Sequence, residues 1–196
     1  MGGFLGFLAV IAAIVVYAIS LYNRLVSLRN RVKNGFAQID VQLTRRHDLI
    51  PNLVEAVKGY MAHERGTLED VVNARNAAVT GLKAAAADPT DPEAMKALSK
   101  AEGQLSGALG RLFALAEAYP DLKANENMMQ FQEELSTTEN KVAFARQAFN
   151  DAVMNFNNAV ESFPSSVVAG MFSFQQAEFL EIEGPEKREV PKVSFS

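Results

Sequence analysis

The sequence predicts an all-α protein in which an N-terminal transmembrane helix runs into a long helical domain on the cytoplasmic side. Three observations lead there. Phe4 to Tyr22 carries no charged residue. Apolar side chains then recur every three or four positions for most of the chain. The first cations, Arg24, Arg29, Arg31 and Lys33, follow directly on the apolar run.

As a helix, Phe4 to Tyr22 spans about 28 Å at ~1.5 Å per residue, close to a hydrocarbon core of ~30 Å. Its apolar residues surround the axis, as lipid on all sides requires, and Tyr17 and Tyr22 fall near one end, where aromatic belts sit. A core helix of a small domain would keep one polar face. A cleaved signal peptide would need a basic start, although Ala18-Ile19-Ser20 passes as a small-x-small site. Cations on the C-terminal side alone place that side in the cytoplasm and the N-terminus outside. Arg24, Arg29, Arg31 and Lys33 are therefore the expected contacts to anionic headgroups. Gly2 and Gly6 form a GxxxG pair suited to close helix packing, a weak motif on its own.

Leu25, Leu28, Val32, Phe36, Ile39 and Leu43 continue without a turn signal, so one helix passes from the membrane into the domain. Ile50, Leu53, Val57 and Tyr60 prolong the seam. Pro51 lies inside it and predicts a kink near His47 to Pro51. His63-Glu64-Arg65-Gly66 marks a break, with Thr67 as the next cap before Leu68, Val71 and Val72. Asp88-Pro89-Thr90-Asp91-Pro92 is a turn in which Asp91 caps a helix starting at Pro92. That helix aligns Met95, Leu98, Leu105, Leu109, Leu112 and Ala116. Gly103, Gly107 and Gly110 weaken it and would admit a close neighbour. Tyr119-Pro120-Asp121 ends it. From Asn125, the positions Met128, Phe131, Leu135, Thr138, Val142, Ala145, Phe149, Val153, Phe156, Val160 and Phe163 alternate steps of three and four, the seam of a coiled-coil-like bundle. Asn150 and Asn157 flank it one heptad apart, either solvated or buried as register-fixing amides. After Phe163-Pro164 comes a tail with Phe172, Phe174, Phe179 and Phe195. These rings are expected to dock on the bundle, on a neighbouring subunit or at the membrane surface. The divisions are 1–23 for the anchor, 24–164 for the bundle and 165–196 for the tail.

Charge and composition exclude several functions. The net charge is -4, which gives no general attraction to nucleic acid. Of 19 basic and 23 acidic residues, six and one fall between Arg24 and Arg46, a basic collar in an acidic protein. With no cysteine, disulfides, thiolate metal sites and thiol catalysis are absent.

Long strings resemble the LemA family: Tyr22 to Val32, Gln38 to Leu43, Arg45-Arg46-His47-Asp48-Leu49-Ile50-Pro51-Asn52-Leu53-Val54, Tyr119 to Asn125, Thr138-Glu139-Asn140, and Phe163-Pro164 before a Phe-rich tail. The resemblance runs from anchor to tail. It implies a bacterial inner-membrane protein, single-pass, with an antiparallel four-helix bundle. It brings no established enzymatic activity, and one branch is associated with magnetosome membrane formation, which by analogy suggests shaping or organising membrane. Gly35 stands where the family commonly has Ala, a departure expected to add local flexibility.

No catalytic, cofactor or metal site is expected. A di-iron bundle needs Glu-x-x-His on two helices, but Thr44 and Tyr60 precede His47 and His63 by three. His63-Glu64 begins a zinc-protease motif that Thr67 breaks. No phosphate-binding glycine loop or Gly-x-Ser-x-Gly is present. Glu133 and Glu134 point to different faces. His47 is expected to satisfy carbonyls freed by Pro51, or else to mark a contact between subunits. His63 is expected to interact with a helix C-terminus. Two functions remain. One is a homo-oligomeric, membrane-organising scaffold. The other is a monomeric or dimeric tether recruiting a protease, a signalling protein or another unidentified partner.

Overall fold

A computed structural model describes residues 2–61 and 63–181. In chain order its helices are α1 (Gly2–Lys58), α2 (Arg65–Ala87), α3 (Pro92–Ala116), α4 (Pro120–Lys123), α5 (Glu126–Glu161) and α6 (Ser165–Met171). No strand occurs among the described residues.

The 57 residues of α1 span about 85 Å at ~1.5 Å each. The helix crosses the 23/24 division without interruption and continues through Pro51. Its first part fits a membrane anchor, because only 6% of its most apolar 18-residue stretch is buried. Large apolar side chains from Phe4 to Ile19 stand exposed, and burial begins at Leu21 and Leu25. A core helix would show the opposite.

Turn chemistry sets the breaks. Asp91 accepts from the Glu93 N–H at 2.9 Å, with Pro92 at the first helical position. Just upstream, Asp88 accepts from the Thr90 hydroxyl at 2.7 Å and the Thr90 N–H at 3.1 Å. These bonds, the hydroxyl above all, hold the Asp88 carboxyl below its usual range. Asn125 caps α5 by accepting from the Asn127 and Met128 N–H groups. Thr67 is not the cap of α2. The Glu64 carbonyl already accepts from the Leu68 N–H, so the helix starts at Arg65 and Thr67 lies within it. The seam of α5 stops before Phe163, which is 83% exposed, because the helix ends at Glu161 ahead of a cis Phe163–Pro164 bond.

α1 packs along α5, α2 along α3, and α2 also against α1. The core has three parts. Nearest the anchor, Leu21 and Leu25 meet Ala159 of α5 and Val168 of α6. The middle joins Val32, Phe36, Ile39 and Leu43 to Met95, Leu98, Val142, Phe149, Val153 and Phe156. The far end joins Ile50, Leu53 and Val57 to Leu68, Leu105, Leu112, Met128 and Leu135. The early part of α1 thus meets the late part of α5, and the two run antiparallel.

Glycine serves this packing where helices nearly touch. A Cβ on Gly35 would sit 3.2 Å from the Phe149 Cα, and one on Gly81 3.2 Å from the Leu98 Cα. Gly35 is therefore a contact point between α1 and α5, not a source of flexibility. Gly107 and Gly110 of α3 do not admit a close neighbour among the described residues. A Cβ on Gly107 would meet only Arg111 Nη1 at 4.0 Å, and one on Gly110 would meet nothing within 4 Å.

These contacts make opposite predictions for two glycines. Gly35→Leu should lower stability by about 1–3 kcal/mol through overpacking. Gly110→Ala, in open space on a helix, should raise it by about 0.8–1 kcal/mol. Thermal unfolding of the full chain in detergent should show the two melting temperatures moving in opposite directions.

Candidate functional site

Three features stand out: the collar beside the anchor, a charged layer inside the helical domain, and the tail. In the collar, Arg24, Arg31 and Lys33 are exposed. Arg29 is half-buried instead. Its guanidinium lies over the Phe174 ring, 5.2 Å from the centroid, and its Nε has no hydrogen-bond partner among the described residues. Gly2 and Gly6 lie on the exposed anchor with open space around them.

The charged layer separates the middle and far parts of the core. On α1 the apolar seam skips from Leu43 to Ile50, and the gap holds Arg46 and His47, 5% and 2% exposed. On α3 only the small Ala101 fills the seam between Leu98 and Leu105, and Glu102 beside it is fully buried. Arg46 Nη1 donates to Glu102 Oε2 at 3.0 Å, and Arg46 Nη2 donates to Ser106 Oγ at 2.8 Å. His47 Nε2 lies 2.6 Å from Glu102 Oε1. One carboxylate thus binds two neighbouring α1 side chains, one per oxygen. On α5 the corresponding step, between Leu135 and Val142, holds buried Thr138, whose hydroxyl donates to the Glu134 carbonyl at 2.7 Å. α2 adds Arg75. Its Nε donates at 3.2 Å to the His47 carbonyl, the group left without its i+4 donor by Pro51.

These positions correct the two expectations for His47. Arg75, not the His47 ring, satisfies the carbonyl freed by proline. The ring is buried against Glu102 and not presented to a second subunit. His63 is exposed between α1 and α2. Glu102 was not anticipated, although the seven-residue step between the large apolar residues Leu98 and Leu105 was its signal. The layer is a structural ion pair closed to solvent, and among the described residues no three His, Asp or Glu side chains are grouped to hold a metal.

The tail turns out of α6 at Ser173, whose φ of 56° is left-handed. Phe172 and Phe174 pack against Tyr22 with centroids 4.7 and 5.7 Å away, and Phe174 also meets Phe156. The chain then runs extended along α5. The Ala177 N–H donates to Asn157 Oδ1, and Asn157 Nδ2 donates back to the Ala177 carbonyl, both at 2.9 Å. Leu180 and Asn150 repeat the exchange at 3.0 and 3.2 Å. The spacings match: seven helical residues rise about 10.5 Å and three extended residues about 10 Å. The asparagines are therefore neither merely solvated nor register amides between helices. They present two sheet-like edges to the tail, with Ala177 and Leu180 buried in the core. Phe179 stays exposed, and Phe195 lies outside the described residues.

Comparison with known proteins gives a consistent result. The model of the LemA family matches residues 35–195. Magnetosome protein MamQ of Magnetospirillum gryphiswaldense is 24% identical over 184 residues, covering 86% of this chain and 68% of that protein. Magnetosome protein MamQ 2 of Paramagnetospirillum magneticum is 23% identical over 186 residues, covering 87% and 68%. Protein LemA of Metamycoplasma hominis is 26% identical over 147 residues, covering 75% and 63%.

Glu102→Ala should destabilise the protein by about 3–5 kcal/mol, since it leaves the buried Arg46 cation without its carboxylate and His47 Nε2 without its hydrogen-bond partner. Replacing Arg46, His47 and Glu102 together by Met, Leu and Leu should restore most of that loss. A triple variant no more stable in denaturant than the single one would show that the layer does not act through unpaired charge. Separately, Asn157→Ala removes two hydrogen bonds, worth roughly 2 kcal/mol, or about 30-fold in tail release. Chymotryptic cleavage at Phe174 and Phe179 should accelerate accordingly.

Proposed function

We propose that this chain, which belongs to the LemA family, is a non-enzymatic membrane protein whose helical domain self-assembles to organise or shape the membrane. The observation that carries this reading is the continuity of α1. A flexible leash would let the domain rotate freely, whereas one helix shared by lipid and core couples any ordered packing of domains to membrane tilt. In this reading the domain is an antiparallel four-helix bundle of α1, α2, α3 and α5, with coiled-coil-like seams. The anchor crosses the inner membrane once, N-terminus outside. Arg24, Arg31 and Lys33 bind anionic headgroups, and Arg29 joins them from its place on Phe174. Gly2 and Gly6 bring neighbouring anchors together. That two relatives are named magnetosome proteins supports a role at a membrane.

A second reading, a monomeric or dimeric tether, is favoured by one patch. Phe144 is 77% exposed and lines a groove between α1 and α5 where the buried Gln42 Oε1 has no partner among the described residues. An exposed ring beside such a groove suits a partner surface.

Mass-calibrated chromatography of the detergent-extracted full chain, with imaging in lipid, separates the two. Multimers above the dimer and ordered assemblies in lipid are expected. A monomer or dimer forming isolated rods would reject the scaffold. A photo-crosslinker at position 144 that captured one distinct protein rather than a second copy would then select the tether.

A further inference from the structure

α5 ends level with the end of the apolar anchor helix. α1 and α5 run antiparallel, and Gly35 stands against Phe149 where the two nearly touch. In such a pair each step forward on one helix is a step back on the other. Glu161, the last residue of α5, lies twelve residues after Phe149 and so stands level with Asn23, twelve before Gly35. Asn23 directly follows the charge-free run that closes at Tyr22. α6 packs at the same level. Val168 and Ala169 are buried with Leu21 and Leu25, and the Phe172 ring lies 4.7 Å from Tyr22.

A domain end that faced water would carry polar and charged side chains. This end does the reverse. From Ser162 to Ala177, sixteen successive residues carry no charge, in a chain that is 21% charged. The apolar side chains of this stretch divide between two surfaces. Val168 and Ala169 face the core, while Val167 and Met171, one turn apart on α6, face away and are 56% and 74% exposed. Phe163 before the helix and Phe172 after it, 57% exposed, extend that outer surface. Ser165 is turned inward, where its hydroxyl donates to the Ser162 carbonyl at 2.8 Å. A concentrated apolar patch of this kind marks a contact surface.

We infer, on the reading of α1 as a membrane span, that α6 and its flanking residues form a second membrane contact. Phe163, Val167, Met171 and Phe172 sink into the boundary between headgroups and acyl chains beside the anchor. Lipid is the occupant because the patch lies where the span leaves the bilayer, and because an uncharged apolar surface at that depth suits the boundary. Arg24, exposed on α1 at the same level, reaches headgroups around it. A lone spanning helix is free to turn about its axis. With α6 seated at its side, the domain is held to lipid at two places, which fixes its rotation and its tilt together.

The chain has no tryptophan, so single substitutions report their own surroundings. Phe163→Trp and Met171→Trp are made in the full chain and reconstituted in phosphatidylcholine vesicles whose lipids are brominated near the top of the acyl chains. Tyr17→Trp is the reference for the span, and Phe144→Trp the reference for the side of the domain. All four positions are exposed, so the fold is preserved. Against unbrominated vesicles, positions 163 and 171 should lose at least about half of their emission, as seating ~5–10 Å into the boundary requires. Position 17 should lose as much, and position 144 should not change. Loss at 17 without loss at 163 and 171 would overturn the second contact and leave the span standing. Blue-shifted but unquenched emission at 163 and 171 would also overturn it, since protein and not lipid would then cover the patch. Loss at 144 equal to that at 163 and 171 would overturn it too, because quenching would not be confined to the end of the domain. No loss at 17 would overturn the span itself, and the second contact with it.

Discussion

Burial begins on α1 at Leu21, while the helix itself begins at Gly2, and this single continuous helix is the constraint on which the other elements depend. Lipid requires apolar side chains around the whole axis, whereas the domain needs one stripe. α1 meets both demands in succession without a turn. Its stripe then receives α5 along its length, α2 beside it, and α6 at the membrane-proximal end. α3 reaches α1 mainly through α2 and through the buried contact of Glu102 with Arg46 and His47.

That contact is costly for its location. Taking charges out of water is unfavourable unless geometry and additional hydrogen bonds compensate. Here both carboxylate oxygens are used, and Arg46 also reaches Ser106. An apolar seam alone tolerates sliding by one turn. With Glu102 in the seam, such a slide would bury a carboxylate opposite Leu43 or Ile50. The layer therefore specifies the register of α3 against α1. Pro51 belongs to the same arrangement, because the carbonyl it leaves unpaired is the acceptor that draws Arg75 of α2 into the layer.

The tail shows a different use of side-chain polarity. α5 has no free backbone edge, so an extended segment cannot pair with it as strand pairs with strand. Asn150 and Asn157 supply the missing edge from their amides. Together with Phe172 and Phe174 on Tyr22, they tie the end of the described chain to the start of the domain. The start of the domain is thus closed by α1 and the tail together, with Arg29 of the basic collar drawn onto the Phe174 ring.

Periodicity and turn chemistry determined the all-helical class, the apolar anchor helix, the cap at Asp91, the start of α5 near Asn125, and the break before α2. These are local properties, set by spacing within a few turns and by side chains that bond their own backbone. Tertiary structure alone decided the rest. Arg46, His47 and Glu102 lie more than fifty residues apart across the pair, and only the packing of α3 near α1 brings them together. The sequence marked their places as gaps in two apolar seams but not their pairing. Asn150 and Asn157 looked the same whether solvated, buried or clamping a strand, because the partner is the backbone of Ala177 and Leu180, which any residue type provides. Gly35 was legible only as a departure from the Ala that the family commonly has there. That it is a contact point and not a flexible joint depends on Phe149 of another helix, since how closely two helices approach is a property of both surfaces.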